Sequence, residues 1–229
     1  MSSPSLTKTD SRFLHSTRTM VTLGMLTGVA FVVMLLSKLI PSVNGFLDFD
    51  FKDVVICIGG FTFGPTAAAV ISIVVGLIEM LTISHTGPIG LLMNVLATAS
   101  FCCTASFVYK RRHTRSGALV GLVVGGVVMT GVMLLWNYLV TPIYQEIPRE
   151  VVAGMLVPVF LPFNAVKAGM NTAATLLLYK PVVTALRQAG LIPPSQSGEK
   201  GGSNVGFFLF SVALLATFVV LALVLLKIL

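Results

Sequence analysis

Charged side chains are scarce in this sequence, and their scarcity argues against a water-soluble domain. Asp, Glu, Lys and Arg together make up 10% of the 229 residues, whereas soluble domains carry about a quarter. Hydrophobic residues make up 55%, which is more apolar surface than a core of this size can hide from water. We therefore predict an integral membrane protein, with lipid as the solvent for much of its surface.

Residue patterns that support catalysis or metal binding are also missing. Cys57, Cys102 and Cys103 lie inside apolar runs without the spacing of metal ligands, so we interpret them as small hydrophobic residues. The sequence has no phosphate-binding loop and no Ser-His or paired-carboxylate arrangement. These absences disfavour an enzyme and predict no cofactor. Any energy for transport must then come from a gradient or a partner.

Long apolar runs are abundant instead. A bilayer core about 30 Å thick needs roughly 20 helical residues to cross. The runs predict an all-α polytopic membrane helix bundle, with a six-helix core and one extra C-terminal transmembrane helix. The predicted helices are 20–41, 53–64, 66–82, 88–109, 117–141, 159–179 and 205–226. The predicted domains are an N-terminal tail (1–19), a six-helix membrane domain (20–187), a polar linker (188–204) and the additional helix (205–229).

The formal net charge of +7 is concentrated in loops, without the basic face and interleaved aromatics that nucleic-acid binding requires. Basic residues cluster before the first apolar run, at 110–115 and at 180–200. Such clusters in short loops mark the cytoplasmic side of a membrane. All three lie on one side if the N-terminus is cytoplasmic. We therefore predict a multi-pass cell-membrane protein with an extracellular C-terminus and no nucleic-acid partner.

Several polar side chains fall inside the predicted membrane helices, where their burial is costly and suggests function. Asn164, Lys167 and Asn171 are spaced by three and four residues, which places them on one helical stripe. Asn94 and Asn137 lie at a similar depth on two other helices. Such convergence favours a binding pocket entered from outside. The alternative is hydrogen bonding between helices, which membrane bundles also use.

The first predicted outer loop alternates apolar and polar residues from 47 to 52, the period of an extended segment with one apolar face. Leu47, Phe49 and Phe51 could cover a planar ligand while the acids between them face water. The alternative is a loop that places its aromatic rings among lipid headgroups.

Two glycines in the first helix, Gly24 and Gly28, form a GxxxG pattern. This pattern permits close approach of another helix. It fits packing within the chain as well as contact with a partner.

Several motifs occur together in a characteristic order. They are Asp53-Val54-Val55, GFTFGP from residue 60, TGPIG from residue 86 followed by Asn94, Asn137-Tyr138, Pro142-Ile143-Tyr144, and PFNAVKAG from residue 162. Across residues 18–187 this set resembles the riboflavin-specific substrate-binding (S) component of energy-coupling factor (ECF) transporters. The resemblance implies a six-helix vitamin receptor whose core has both ends in the cytoplasm.

The resemblance also implies a site and partners. The implied substrate-binding residues are Leu47, Asp48, Phe49, Thr86, Gly87, Asn94, Asn137, Asn164 and Lys167. Riboflavin is the implied ligand, with flavin mononucleotide left open as a second one. Gly24 and Gly28 match a small-xxx-small motif that docks on a transmembrane coupling subunit. Two ATPase subunits would power the complex, and the receptor would topple in the membrane to release its vitamin.

Residues 205–226 depart from the family pattern, whose core ends after six helices. Ser211 and Thr217 are the only polar residues of this run, and such scarcity favours a lipid-facing role.

Three alternative functions stay open for the chain: an S component for a different vitamin, a small membrane enzyme, and a purely structural membrane subunit.

Overall fold

The computed structural model describes residues 16–43, 45, 47–84, 86–192 and 205–228. Its α-helices are α1 (Thr17–Ser37), α2 (Lys52–Phe63), α3 (Pro65–Thr82), α4 (Gly87–Arg111), α5 (Arg115–Tyr144), α6 (Arg149–Met155), α7 (Leu161–Gln188) and α8 (Val205–Leu225). A π-helical turn, Leu156–Phe160, joins α6 to α7. Most of the predicted N-terminal tail and polar linker lies outside the described residues.

Six helical stretches in the described part of the chain are long and apolar enough to cross a membrane. They are α1, α3, α4, α5, α8 and the continuous stretch Arg149–Gln188. Among the same residues, β-type pairing is confined to an isolated bridge between Val43 and Leu47. The prediction of an all-α polytopic membrane bundle is confirmed.

The short helix α2 lies inside this bundle. Its 12 residues measure about 18 Å at 1.5 Å per residue, too short to cross a bilayer core alone. Nine of them are buried, so protein surrounds most of the helix. Gly64 ends α2 with a φ of 98°, a conformation that glycine adopts without steric cost. Pro65 then starts α3, because a first-turn proline sacrifices no helical hydrogen bond.

The three largest differences from the predicted C-terminal ends of helices occur in α1, α5 and α7, and each lies near a proline. α1 ends at Ser37, four residues before the predicted end at Pro41, since a proline disfavours helical geometry in the residue before it. α5 and α7, in contrast, continue through Pro142 and Pro181. Membrane helices tolerate internal prolines because neighbouring groups satisfy the freed backbone atoms.

The segment 142–157, which the sequence predicts to be an outer loop between the helices 117–141 and 159–179, is mostly helical. α6 and the π-helical turn occupy its second half and lead directly into α7. Pro158 falls in the π-helical turn, where the wider backbone spacing accommodates a residue without an N–H. α7 therefore begins at Leu161, and its first turn holds Asn164.

The additional helix α8 packs along α7. At Gly169 a β-carbon would lie 2.2–2.5 Å from ring atoms of Phe218, so the absence of a side chain permits this contact. Ala222 is buried in an apolar cluster with Phe163 and Met170 of α7. Most other α8 residues are exposed, which is the surface that a lipid-facing helix requires.

The contact between α7 and α8 predicts the effect of filling Gly169. Gly169→Ala should lower the melting temperature in detergent, because the methyl group forces Phe218 and α8 away at a cost of about 1–3 kcal/mol. Gly131→Ala is the matched control, since a β-carbon there meets no described atom within 4 Å. Equal melting temperatures for the two variants would contradict this packing.

Candidate ligand-binding site

Lys167 lies on the first half of α7 with 9% of its surface exposed. Its Nζ donates to Asp50 Oδ2 at 2.8 Å and to the Asp48 carbonyl at 3.2 Å. Both acceptors belong to the loop that follows α1. An ammonium buried in a bundle is stable only with such partners. The loop thus supplies the negative charge that neutralises the Lys167 ammonium, since α7 contains no acidic residue.

Asp50 is held by a second lysine on its other side. Lys52 Nζ lies 2.9 Å from Asp50 Oδ1 and 3.9 Å from Asp53 Oδ1. Thr98 of α4 donates to Asp53 at 2.8 Å. Burial alone would raise the pKa of Asp50, but the charges of Lys167 and Lys52 outweigh it and hold this pKa below its usual range.

A more exposed series of contacts reaches α3 and α4. Asp48 accepts from Lys38 at 2.8 Å, and Lys38 also lies 3.4 Å from Glu79 of α3. Asn94 of α4 donates to the other Glu79 oxygen at 2.9 Å. These groups and the buried ones form what we call the charged cluster: Lys38, Asp48, Asp50, Lys52, Asp53, Glu79, Asn94, Thr98 and Lys167.

An apolar layer lies beside the charged cluster. Residues 47–51, which we call the strap, bury Leu47 and Phe49 against α7. The Phe49 and Phe163 rings are tilted by 38° with centroids 4.9 Å apart, a favourable aromatic arrangement. Asn171 Nδ2 donates to the Asp50 carbonyl at 3.0 Å and fastens the far end of the strap.

The prediction that both strap acids face water is wrong for Asp50. The Asp48 side chain is 37% exposed, but that of Asp50 is 7% exposed. Apolar alternation takes no account of a partner elsewhere in the chain, and Lys167 is that partner. A lysine deep in a membrane helix requires a carboxylate nearby, and this requirement is the signal that could have identified Asp50.

Two predicted amides, Asn137 and Asn164, are buried and bonded to carbonyls four residues earlier in the chain. Asn164 Nδ2 donates to the Phe160 carbonyl at 2.7 Å, and Asn137 Nδ2 donates to the Met133 carbonyl at 2.8 Å. Each amide has two N–H donors, so these bonds leave each side chain with capacity for a ligand. Asn171 Oδ1 is a further buried acceptor, with no hydrogen-bond partner among the described residues.

Two predicted residues lie apart from this group. Thr86 and Gly87 precede and begin α4, and Thr86 Oγ1 lies 2.9 Å from Ser84 Oγ. Their described contacts do not connect them to α7. Asn94 reaches α7 only through Glu79, Lys38 and Asp48. The structure therefore brings Asp48 and Lys167 into direct contact and packs Leu47 and Phe49 in one apolar cluster with Phe163 of α7, whereas Thr86 and Gly87 lie apart from both.

A membrane helix bundle with buried polar groups on α4, α5 and α7, and with the strap packed against those of α7, has the architecture of a membrane-embedded solute-binding protein. The family model for the substrate-specific component of ECF transporters matches residues 18–179. The chain belongs to this family, and its members are transporter components rather than enzymes. The matched region ends before α8.

Curated and solved relatives agree with this assignment. The riboflavin transporter RibU of Staphylococcus aureus is 31% identical over 181 residues, which cover 76% of this chain and 95% of that protein. The riboflavin transporter FmnP of Bacillus subtilis is 29% identical over 187 residues, covering 74% and 96%. A solved S component of a bacterial ECF transporter is 32% identical, with a TM-score of 0.64 and coverage of 74% and 98%.

The burial of the charged cluster predicts unequal costs for two similar substitutions. Lys52→Met should lower the free energy of unfolding by about 3–5 kcal/mol, because it leaves Asp50 and Asp53 without their shared buried cation. Lys38→Met should cost less, since the Lys38 side chain is 40% exposed and water replaces part of its interaction. Denaturant titration in detergent measures both. A larger loss for Lys38→Met would contradict the arrangement.

Proposed function

We propose that this chain is the riboflavin-binding membrane subunit of an ECF-type vitamin uptake transporter, which captures the vitamin outside and delivers it through an ATP-driven partner module. The site observation that carries the proposal is Lys167, buried beside Asn164 on α7 and covered by the aromatic strap. Its relatives named as riboflavin transporters match this chain over nearly their whole length, which supports the choice of vitamin.

The chemistry of the flavin ring suits this site. An isoalloxazine ring has a broad apolar face and a line of hydrogen-bond donors and acceptors along its pyrimidine edge. Leu47 and Phe49 would cover the face, whereas Asn137, Asn164 and Lys167 would bind the edge. Ligand pockets commonly have an apolar lining with a few polar groups. The division between an apolar ring face and a polar ring edge matches this pattern.

Riboflavin binding can be followed through Trp136, the one tryptophan of the sequence. It adjoins Asn137, so bound flavin should quench its fluorescence, and protein purified from flavin-producing cells should be yellow.

Lys167→Ala should weaken riboflavin binding by at least about tenfold, because a hydrogen bond from a buried charged group commonly contributes 1.5–3 kcal/mol.

Colourless wild-type protein without quenching would exclude riboflavin and favour a different vitamin as ligand. Unchanged affinity in Lys167→Ala would remove this lysine from the site. Titration with flavin mononucleotide in parallel tests the phosphorylated form.

Gly24 and Gly28 are the proposed docking surface for the coupling subunit, which would act together with two ATPase subunits. Both glycines are exposed on α1, and a β-carbon at either meets no described atom within 4 Å. α8 packs on α7 and leaves this face open. An uncovered small-residue stripe suits close packing of a partner helix.

Filling the stripe should separate transport from binding. The double variant Gly24→Leu, Gly28→Leu should retain its riboflavin affinity and lose most riboflavin uptake in cells that supply the partner subunits, because the leucines hold a partner helix away. Gly131→Leu, the same change at an exposed position of α5, is the control. Full uptake by the double variant, or a loss of binding, would contradict docking at this surface.

The proposed orientation has a cytoplasmic N-terminus and an extracellular C-terminus, and it counts α2 as a seventh crossing in addition to the six long stretches. Lys110 and Arg111 line one cavity together with Gly64 and Pro65, so the α2–α3 junction lies at the basic end of the bundle. The charged cluster lies at the other end of α2 and α4. The positive-inside tendency then favours a site that opens to the outside.

A further inference from the structure

We propose that Asp50 is a positioning residue for ligand binding, which couples closure of the strap to the orientation of the Lys167 ammonium. The proposal rests on the proposed function, in which Lys167 binds the ligand. Asp50 itself does not need to touch the ligand for this role. It acts through the lysine.

The Lys167 ammonium divides its hydrogen bonds in a way that suits this role. An ammonium has three N–H donors. Asp50 Oδ2 and the Asp48 carbonyl take two of them, at 2.8 and 3.2 Å. Among the described residues the third has no hydrogen-bond acceptor, so it is left for an acceptor on the ligand. With two acceptors fixed on the strap, the direction of the third donor depends on where the strap lies.

Asp50 is in turn held by two further groups. Lys52 lies 2.9 Å from its second carboxylate oxygen. Asn171, one helical turn after Lys167, donates to its backbone carbonyl at 3.0 Å and to the Lys167 carbonyl at 3.1 Å. A short charged hydrogen bond to a carboxylate held in this way orients the donor strongly.

The strap also depends on the lysine. Its first residue, Leu47, exchanges backbone hydrogen bonds with Val43, and its last, Phe51, donates to Ser37 Oγ at 3.1 Å. Between these ends, the bonds to Lys167 and Asn171 hold the strap against α7, with Phe49 buried under it. Coupling between the ammonium and the strap is reciprocal. A ligand that binds the third N–H therefore also stabilises the closed strap.

A double-mutant cycle tests this coupling. Riboflavin dissociation constants are measured for wild type, Asp50→Asn, Lys167→Met and the double variant. Asp50→Asn should weaken binding about tenfold when Lys167 is present and less than about threefold in the Lys167→Met background, because Asp50 acts through the ammonium. A merely structural Asp50 would give the same factor in both backgrounds, and that result overturns the proposal.

Asp48→Asn is the matched control in the same loop. The Asp48 carboxylate pairs with Lys38 and Ser42, and Asp48 contacts Lys167 through its backbone carbonyl. Asp48→Asn should change the riboflavin dissociation constant by the same factor, within about twofold, in the wild-type and the Lys167→Met backgrounds. Coupling as strong as that of Asp50 would assign the role to the general charge of the loop, and this would also overturn the proposal.

A measurement without ligand separates this inference from the choice of vitamin. Hydrogen exchange at the Leu47 and Phe51 amides should accelerate in Asp50→Asn and in Lys167→Met, and no further in the double variant. If wild type fails to bind riboflavin, the proposed ligand is wrong and exchange alone decides about Asp50. Unchanged exchange in Asp50→Asn overturns the coupling.

If Asp50→Asn alone does not fold, the double variant, which lacks both charges of the pair, replaces it. It is then compared with Lys167→Met. Binding within about threefold and equal exchange support the proposal, whereas a larger loss overturns it.

Discussion

A lysine ammonium buried among membrane helices must be neutralised, and much of the local structure follows from this need. Lys167 lies on α7, and its counter-charge comes from Asp50, more than a hundred positions earlier in the chain. The loop after α1 therefore cannot remain in the headgroup region. It lies against α7, buries Phe49 as it does so, and brings Lys52 and Asp53 at the start of α2 into the same cluster. The apolar contacts stabilise the loop further, in a position that the ion pairs determine.

The architecture was accessible from the sequence because hydrophobic length is a strong signal in membranes. Each long apolar run became a helix, and the break at Gly64-Pro65 fell where glycine and proline together predict one. The errors came from prolines, whose effect depends on the surroundings. Pro142 and Pro181 are accommodated inside helices, whereas α1 ends before it reaches Pro41. Sequence alone does not reveal whether neighbouring groups will satisfy the freed backbone atoms.

The candidate site could be predicted only in part, for a related reason. Helical spacing identified Lys167 and the amides on its stripe, since three- and four-residue intervals hold for any helix. The partners of these groups depend on contacts between distant segments, which no local period encodes. Asp50 appeared solvent-facing by alternation and is buried by a lysine on another element. Asn94 is predicted to share the depth of the other amides, but its side chain meets Glu79 rather than α7.

The packing of α8 on α7 would have a mechanical consequence if this chain reoriented in its bilayer, as the family resemblance implies. α8 has 21 residues, so it is about 31 Å long and nearly matches the thickness of the hydrocarbon core. Because Phe218 fits against Gly169, α7 cannot rotate far without moving α8 as well. Tilting this helix shortens its projection along the membrane normal and leaves apolar length mismatched to the lipid, at a cost of fractions of a kcal/mol per Å. The additional helix would then favour one orientation of the chain, against which a partner that tilts it would have to work.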